Sequence, residues 1–225
     1  MTSFDPAPLP DLDVVMHAGG ILQVALSRPA KKNAIGVDMT MSLERLFERV
    51  SLSETVRIVV THGAGGNFSA GMDMRDFFAA SARDPGEIAR ARRATDHWRA
   101  RQIRALRQPV FCAVQGYCLG GAFPLLEAAD WVVAAEDAIF GLPEINFNFV
   151  PGGPIAKSLV ESMNRRGASY AALTGRNFSA SQALDWGLVH EVGRPDEVID
   201  TALARAIHLA QGDLVLRRTS LEALW

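Results

Sequence analysis

The chain is poor in cysteine, carries almost no excess of charge of either sign, and has no long apolar run without a break. Its 225 residues include two cysteines, Cys112 and Cys118, both in an apolar stretch and neither near a Cys/His cluster with metal-ligand spacing. This excludes a disulfide framework and a cysteine-based metal centre, and it reads as buried free thiols in a reducing, cytoplasmic setting. With 23 basic and 25 acidic side chains the formal net charge is −2, so no nucleic acid or other polyanion is expected as a partner. Met1 to Pro6 has neither a basic segment nor an apolar core and does not read as a secretory leader. Pro109 to Leu126 is uncharged and long enough to cross a membrane, but Gln115, Gly116, Gly120, Gly121 and Pro124 interrupt it. It reads instead as a buried strand, a tight turn and a helix start, with no membrane partner. There is no internal repeat and no low-complexity linker.

What is present suits one α/β domain. Hydrophobic residues make up 48%, enough at this length to close a core without staples. Ile21 to Leu26 reads as a strand stopped by Ser27-Arg28-Pro29. Val37 to Val50 sets Met41, Leu43, Leu46, Phe47 and Val50 near helical spacing, and Arg57 to Thr61 is a second strand. Strand, helix, strand predicts a parallel crossover unit. The pattern recurs as a glycine-rich loop from Gly63 to Gly71, a charged helix near Glu87 to Leu106, and a strand at Val110 to Val114. A turn from Gln115 to Leu119, a helix opening at Gly120 and a strand at Trp131 to Ala134 follow. After Pro151-Gly152-Gly153-Pro154 the spacing predicts helices at Ile155 to Met163, Arg166 to Leu173, Ser179 to Trp186 and Asp196 to Ala210, with Ser179 and Ser181 as candidate N-caps.

Three segments bear chemistry. Phe68-Ser69-Ala70-Gly71-Met72-Asp73-Met74 follows a strand, and its small residues allow close backbone approach. Gln115-Gly116-Tyr117-Cys118-Leu119-Gly120-Gly121-Ala122-Phe123 again joins a strand to a helix start. Free amides from two such turns, at the carboxyl end of one parallel sheet, are able to converge on one oxygen as an oxyanion hole. Phe140-Gly141-Leu142-Pro143-Glu144-Ile145-Asn146-Phe147 sets one carboxylate among apolar residues. Desolvation there would raise its pKa toward the range useful for taking and giving protons; taken alone, Glu144 reads more readily as a surface-loop glutamate, and it is the three segments in this order that favour the chemical reading.

Taken in order, these segments resemble the enoyl-CoA hydratase/isomerase (crotonase) superfamily. Ser27-Arg28-Pro29-Ala30-Lys31-Lys32-Asn33-Ala34, Gln108-Pro109-Val110, Pro151-Gly152-Gly153 and Ala183-Leu184-Asp185-Trp186-Gly187-Leu188-Val189 extend the likeness from Gly20 to Val192. The resemblance implies a crotonase-like ββα spiral over residues 1–192 with a short helical C-terminal region over 193–225, acting on an acyl-CoA thioester as a homotrimer or dimer of trimers. It implies an oxyanion hole from the amides of Met72 and Gly121, with Glu144 as the acid–base group. Coenzyme A, part of the substrate and so no separate cofactor, would lie along Lys31, Lys32, Ala34, Ala70, Asp73 and Met74.

Departures from the family pattern bear on the reaction. Typical hydratases of the family carry two glutamates; the first falls here on Pro124, which cannot move a proton, and Glu127 lies one turn further along. Ala70 to Asp73, Phe77-Phe78, Gly121 to Pro124 and Gly141 to Phe147 look most like the hydroxycinnamoyl-CoA (feruloyl-CoA) hydratase-lyase branch, which works with a single glutamate. A tyrosine of that branch aligns with Phe77, and the chain stops at Trp225, short of the region supplying a second; Asn148 replaces a usual glycine. Phe77, Phe123, Pro124 and Phe147 are then expected to line an aromatic-sized, apolar acyl pocket. The resemblance thus implies a hydratase or hydratase-lyase, with an isomerase or a catalytically weak CoA-binding interaction protein as alternatives. Arg90, Arg92, Arg93, Arg99, Arg101, Arg104 and Arg107 read as a solvated helix face, and none of the five histidines has a partner at catalytic spacing.

Overall fold

Branched apolar runs bounded by glycine, proline and charge fold as strands, and the longer amphipathic segments fold as helices. The computed structural model describes residues 4, 7–77, 83–152, 155–212, 216 and 219, with backbone alone at 155–158. Its described strands are Leu12–His17 (β1), Ile21–Leu26 (β2), Ile58–Gly63 (β3), Val110–Val114 (β4), Tyr117–Leu119 (β5), Trp131–Ala135 (β6), Ile139–Gly141 (β7), Phe178–Ser179 (β8) and Glu191–Gly193 (β9). Its α-helices are Val37–Leu52 (α1), Met74–Phe77 (α2), Pro85–His97 (α3), Phe123–Glu127 (α4), Ile155–Ser162 (α5), Arg165–Thr174 (α6), Ala180–Asp185 (α7) and Val198–Ala210 (α8).

The main sheet has the order β1-β2-β3-β4-β6-β9, parallel throughout except for the β1–β2 hairpin. Residues of β3 and β4 are buried on both faces, which explains their nearly unbroken apolar sequence. A smaller sheet, β5-β7-β8, is extended by single bridges from Ile35 to Met72 and from Ser69 to Cys118. β2, β3, β4 and β6 are thus each followed by a short extended segment in the second layer and then by a helical segment. That repetition is the expected ββα spiral. It stacks the segments after β2, β3, β4 and β6 side by side at the carboxyl end of the main sheet, where the three chemical motifs lie.

Several boundaries differ from the sequence reading. β1 is an edge strand with Val15 and Met16 exposed, so its sequence carries little alternation. The segment expected as a plain turn at 115–119 contains β5. The charged helix ends at His97 and continues as a π turn over Trp98–Gln102 and a 3-10 turn over Ile103–Ala105. Ser179 is the N-cap of α7 in a full capping box with Gln182, while Ser181 sits inside the helix. Ser179→Ala should therefore cost about 1 kcal/mol and lower the midpoint of a thermal melt by about 2–4 °C. The turn expected at 151–154 lies outside the described residues at Gly153 and Pro154, as does most of 213–225.

Candidate active site

Asn33 ties the first two motifs together. Its buried amide Nδ2 donates to Ala64 O (2.8 Å) and Asn67 O (2.6 Å), and its Oδ1 accepts from Arg28 N. Ser69 Oγ donates to Asn33 O at 2.8 Å and accepts from Gly71 N at 3.1 Å. Ala70 N donates to Lys32 O, Ile35 N to Gly71 O, and Asp73 N to Ile35 O. The 31–34 loop and the 70–74 segment therefore form one cradle. Lys31 and Lys32 stand exposed on its rim, with Lys32 Nζ 4.2 Å from the Tyr117 ring centroid, and Met74 is also exposed. Asp73 is buried and committed to the chain: Oδ1 accepts from Arg75 N and Asp76 N, and Oδ2 from Arg28 Nη2. It caps α2 rather than facing the open side of the cradle.

Ile35 bonds to the residues on either side of Met72, which leaves the Met72 N–H outside that ladder. Opposite, Leu119 N donates to Ser69 O, and the chain enters a 3-10 turn at Gly120–Ala122, whose first amides have no intrahelical acceptor. Among the described residues, neither Met72 N–H nor Gly121 N–H donates to another group of the chain. The two are close. A Cβ placed on Gly121 would stand 3.1 Å from Met72 N, and one on Gly71 would stand 3.2 Å from Gly121 N and 2.6 Å from Leu119 O. Gly71 also has φ +86°, a conformation L side chains rarely adopt.

Glu144 joins this pair from the 3-10 turn Pro143–Phe147, which follows β7. Its Oε1 lies 2.7 Å from the position a Cβ on Gly120 would take, and its Oε2 is buried without a hydrogen-bond partner. Burial pushes its pKa up, opposed by its own backbone N–H and by the Arg99 charge. Asn148 ends the turn at φ 60°, ψ 30°, a left-handed conformation asparagine tolerates, so it replaces glycine there without disrupting the turn. Asn146 Nδ2 donates to Gly175 O at 3.0 Å and anchors the turn from outside.

The four residues expected to line the acyl pocket do not gather as one wall. Phe77 is buried beside Val37 and Ala91 with Met72 packed against them, next to the cradle. Phe123 lies wholly in the main core, its ring 6.4 Å from Phe178. Pro124 is buried at the start of α4, and Phe147 is 61% exposed. Phe78 lies outside the described residues. Glu127 has no side-chain exposure and is paired with Arg104 at 3.4 Å. Of the seven arginines read as a solvated face, Arg99 is buried and Arg104 half-buried; Arg99 follows Thr95 by one helical turn and Ala91 by two, which sets it at the edge of the buried stripe of the helix. A cavity of about 510 Å³ lies apart, lined by Gln108, Val110, Glu127, Glu161 and His190 among others, and includes none of Met72, Gly121 and Glu144.

Both thiols are buried, and burial pushes them above the ordinary cysteine range, so neither suits a nucleophile. Among the described residues no group of three or more His, Cys, Asp or Glu is arranged to hold a metal, and no helix is long and apolar enough to cross a membrane.

Comparison with known proteins bears on the family and the fold. The family profile described as enoyl-CoA hydratase/isomerase matches residues 17–223. A hydroxycinnamoyl-CoA hydratase-lyase of Pseudomonas fluorescens is 29% identical over 89% of this chain and 73% of its own. A mevalonyl-coenzyme A hydratase of Beauveria bassiana is 34% identical over 91% of this chain and 75% of its own. The crystal structure of an enoyl-CoA hydratase/isomerase from Mycobacterium paratuberculosis superposes with a TM-score of 0.86 at 28% identity, covering 98% of this chain and 86% of the other.

Proposed function

The chain belongs to the enoyl-CoA hydratase/isomerase family, and we propose that it adds water to an α,β-unsaturated acyl-CoA thioester with Glu144 as its sole acid–base group. One observation carries the proposal: the unengaged amides of Met72 and Gly121 stand side by side, with the Glu144 carboxyl against the adjoining Gly120. In this reading both amides donate to the thioester oxygen, drawing electron density from the β-carbon. Glu144 takes a proton from water as the water oxygen bonds to the β-carbon, and the electron pair moves onto the thioester oxygen as an enolate. The enolate collapses as Glu144 returns the proton to the α-carbon. Water and one proton are all that move, so coenzyme A as part of the substrate is the only organic group required.

Pro124 in place of a second acid, together with the hydroxycinnamoyl-CoA hydratase-lyase relative, favours a further step on aromatic substrates. There Glu144 would take the β-hydroxyl proton, the Cα–Cβ bond would break with its electrons held as enolate and an aldehyde would leave, and Glu144 would return the proton to the enolate carbon, releasing the shortened acyl-CoA and restoring the carboxylate. The same proposal includes assembly as a trimer or pair of trimers in the cytoplasm, the first checked by light scattering. Incubation with crotonyl-CoA and with feruloyl-CoA tests the chemistry: loss of enoyl absorbance with water uptake supports hydration, and aldehyde release supports the lyase. Movement of the double bond without water uptake would make the enzyme an isomerase, and CoA binding with no turnover of either thioester would refute the proposal.

The proton carrier sets a pH dependence. Glu144 must begin ionised, and burial raises its folded-state pKa. The rate is therefore lost as pH falls through that raised value, so the acid limb of kcat/KM should lie above the ordinary glutamate range, as a pH–rate profile would read directly.

A further inference from the structure

One side chain behind the site engages two of its segments at once. Arg28 follows β2, and its guanidinium is a planar fork of donors. Nη1 donates to Ala34 O at 2.6 Å, in the loop of the cradle, and Nη2 donates to Asp73 Oδ2 at 3.2 Å, in the segment that carries Met72. Nε stands 3.5 Å from Asp11 Oδ2. Arg28 also shapes the loop through its own backbone, because its N–H donates to Asn33 Oδ1 and its carbonyl accepts from Lys31 N and Asn33 N.

This bridge brackets the Met72 amide. Ile35 N donates to Gly71 O and Ile35 O accepts from Asp73 N, so the fork joins the residue before Ile35 to the residue after Met72. A second carboxylate closes the same junction. Gly36 is the N-cap of α1 and has no side chain to cap it; Asp76 Oδ2 reaches across from α2 and accepts from Val37 N at 2.9 Å. A Cβ on Gly36 would stand 2.5 Å from that oxygen and 2.6 Å from Arg28 Nη1, so glycine lets both charged groups close onto the backbone. An ion pair partly shielded from water adds little net stability, because desolvation offsets its attraction. What a two-pronged contact between segments supplies is fixed geometry.

We propose that Arg28 is a positioning residue for the reaction: it sets the register between the 31–34 loop and the Met72 amide, so that a thioester held along the first presents its carbonyl oxygen to the second. The inference deepens the functional reading above and rests on the Met72 N–H being an oxyanion donor. Without the fork the loop keeps other bonds, from Asn33 to Ala64 and Asn67 and from Ala70 to Lys32. Its loss should therefore leave CoA affinity in place and spoil the alignment at the carbonyl, where a displacement of about 1 Å is able to cost about 10²-fold in rate.

The test is Arg28→Lys, which keeps the charge but offers a single nitrogen in place of the fork. Its kcat should fall by about 10–10²-fold, with the dissociation constant of a non-reacting acyl-CoA analogue nearly unchanged. In the Glu144→Gln background, the infrared stretch of a carbonyl-labelled enoyl-CoA should be displaced less once Arg28→Lys is added. Asp73→Asn, which removes the charge at the other end of the bridge, serves as a second variant if the Arg28→Lys protein does not fold, and the two together should cost little more than the larger alone. A raised dissociation constant with kcat intact would make Arg28 a CoA contact, and a lowered melting temperature with kcat and carbonyl stretch intact would make it purely structural; either result overturns the inference. An undisplaced carbonyl in the Glu144→Gln protein with Arg28 in place would refute the oxyanion hole, and this inference with it, whereas equal displacement with and without Arg28 would overturn this inference alone.

Discussion

Turnover by the Glu144→Gln protein is expected to fall by about 10²–10⁴-fold, the usual contribution of a positioned general acid–base group, with CoA-thioester affinity nearly unchanged. Glutamine keeps the side chain's size and can occupy the same place against Gly120, so the fold should not respond. It cannot accept a proton from water or return one to carbon. Pro124 stands where the resemblance places the family's first glutamate, and Glu127, one turn further along, is paired with Arg104, so among the described residues no second carboxylate is placed to share the proton transfer. The loss should therefore appear in kcat, with the dissociation constant of a non-reacting acyl-CoA analogue left in place. Retained turnover would remove Glu144 from the mechanism.

Gly121→Ala should lower kcat/KM of the folded protein by about 10²–10³-fold, the measured range for losing one oxyanion-hole donor, beyond any fall in the melting temperature. The added methyl would sit 3.1 Å from Met72 N and 2.5 Å from Met72 Cγ. Gly121 has no positive φ to strain, but the methyl meets Met72 at its Cγ and its backbone N, and Met72 packs against the cluster of Val37, Phe77 and Ala91, so a loss of stability accompanies the loss of rate. The methyl also crowds the space between the two amides where the thioester oxygen would lie. Paired melting and steady-state measurements separate the two effects, and a large drop in stability with normal activity in the surviving folded protein would contradict the assignment.

Much of the scaffold was legible because its strands are buried on both faces. Ile21–Leu26 and Val110–Val114 match their expected bounds, since unbroken apolar runs ending in proline, glycine or charge leave little freedom. Ile139–Gly141 and Glu191–Gly193 escaped notice because three residues carry no readable period, and their pairing depends on strands distant in sequence. The site motifs could be located as strand-to-helix turns, but the approach of Met72, Gly121 and Glu144 is a property of the spiral that stacks those turns. Asp73 reads as a CoA contact because it lies in the motif; the bonds of its side chain to Arg28 and to the amides of Arg75 and Asp76 become visible only in the folded chain. Phe123 and Phe147 look alike as apolar letters, yet one fills the core and the other faces solvent. Arg99 reads as solvated with the other arginines of its run because long cationic side chains are rarely buried, although its spacing from Ala91 and Thr95 sets it at the edge of the buried stripe.

The claim at the centre of this account is that two backbone amides polarise a thioester carbonyl beside one ionisable carboxyl. Isotope-edited infrared spectroscopy of a carbonyl-labelled enoyl-CoA bound to the Glu144→Gln protein reads it directly, since this variant should bind substrate without consuming it. The expected result is a bound carbonyl stretch displaced to lower frequency than in water, with the displacement reduced when Gly121→Ala is added. A bound carbonyl that vibrates as it does in water, with or without the added methyl, would contradict the account.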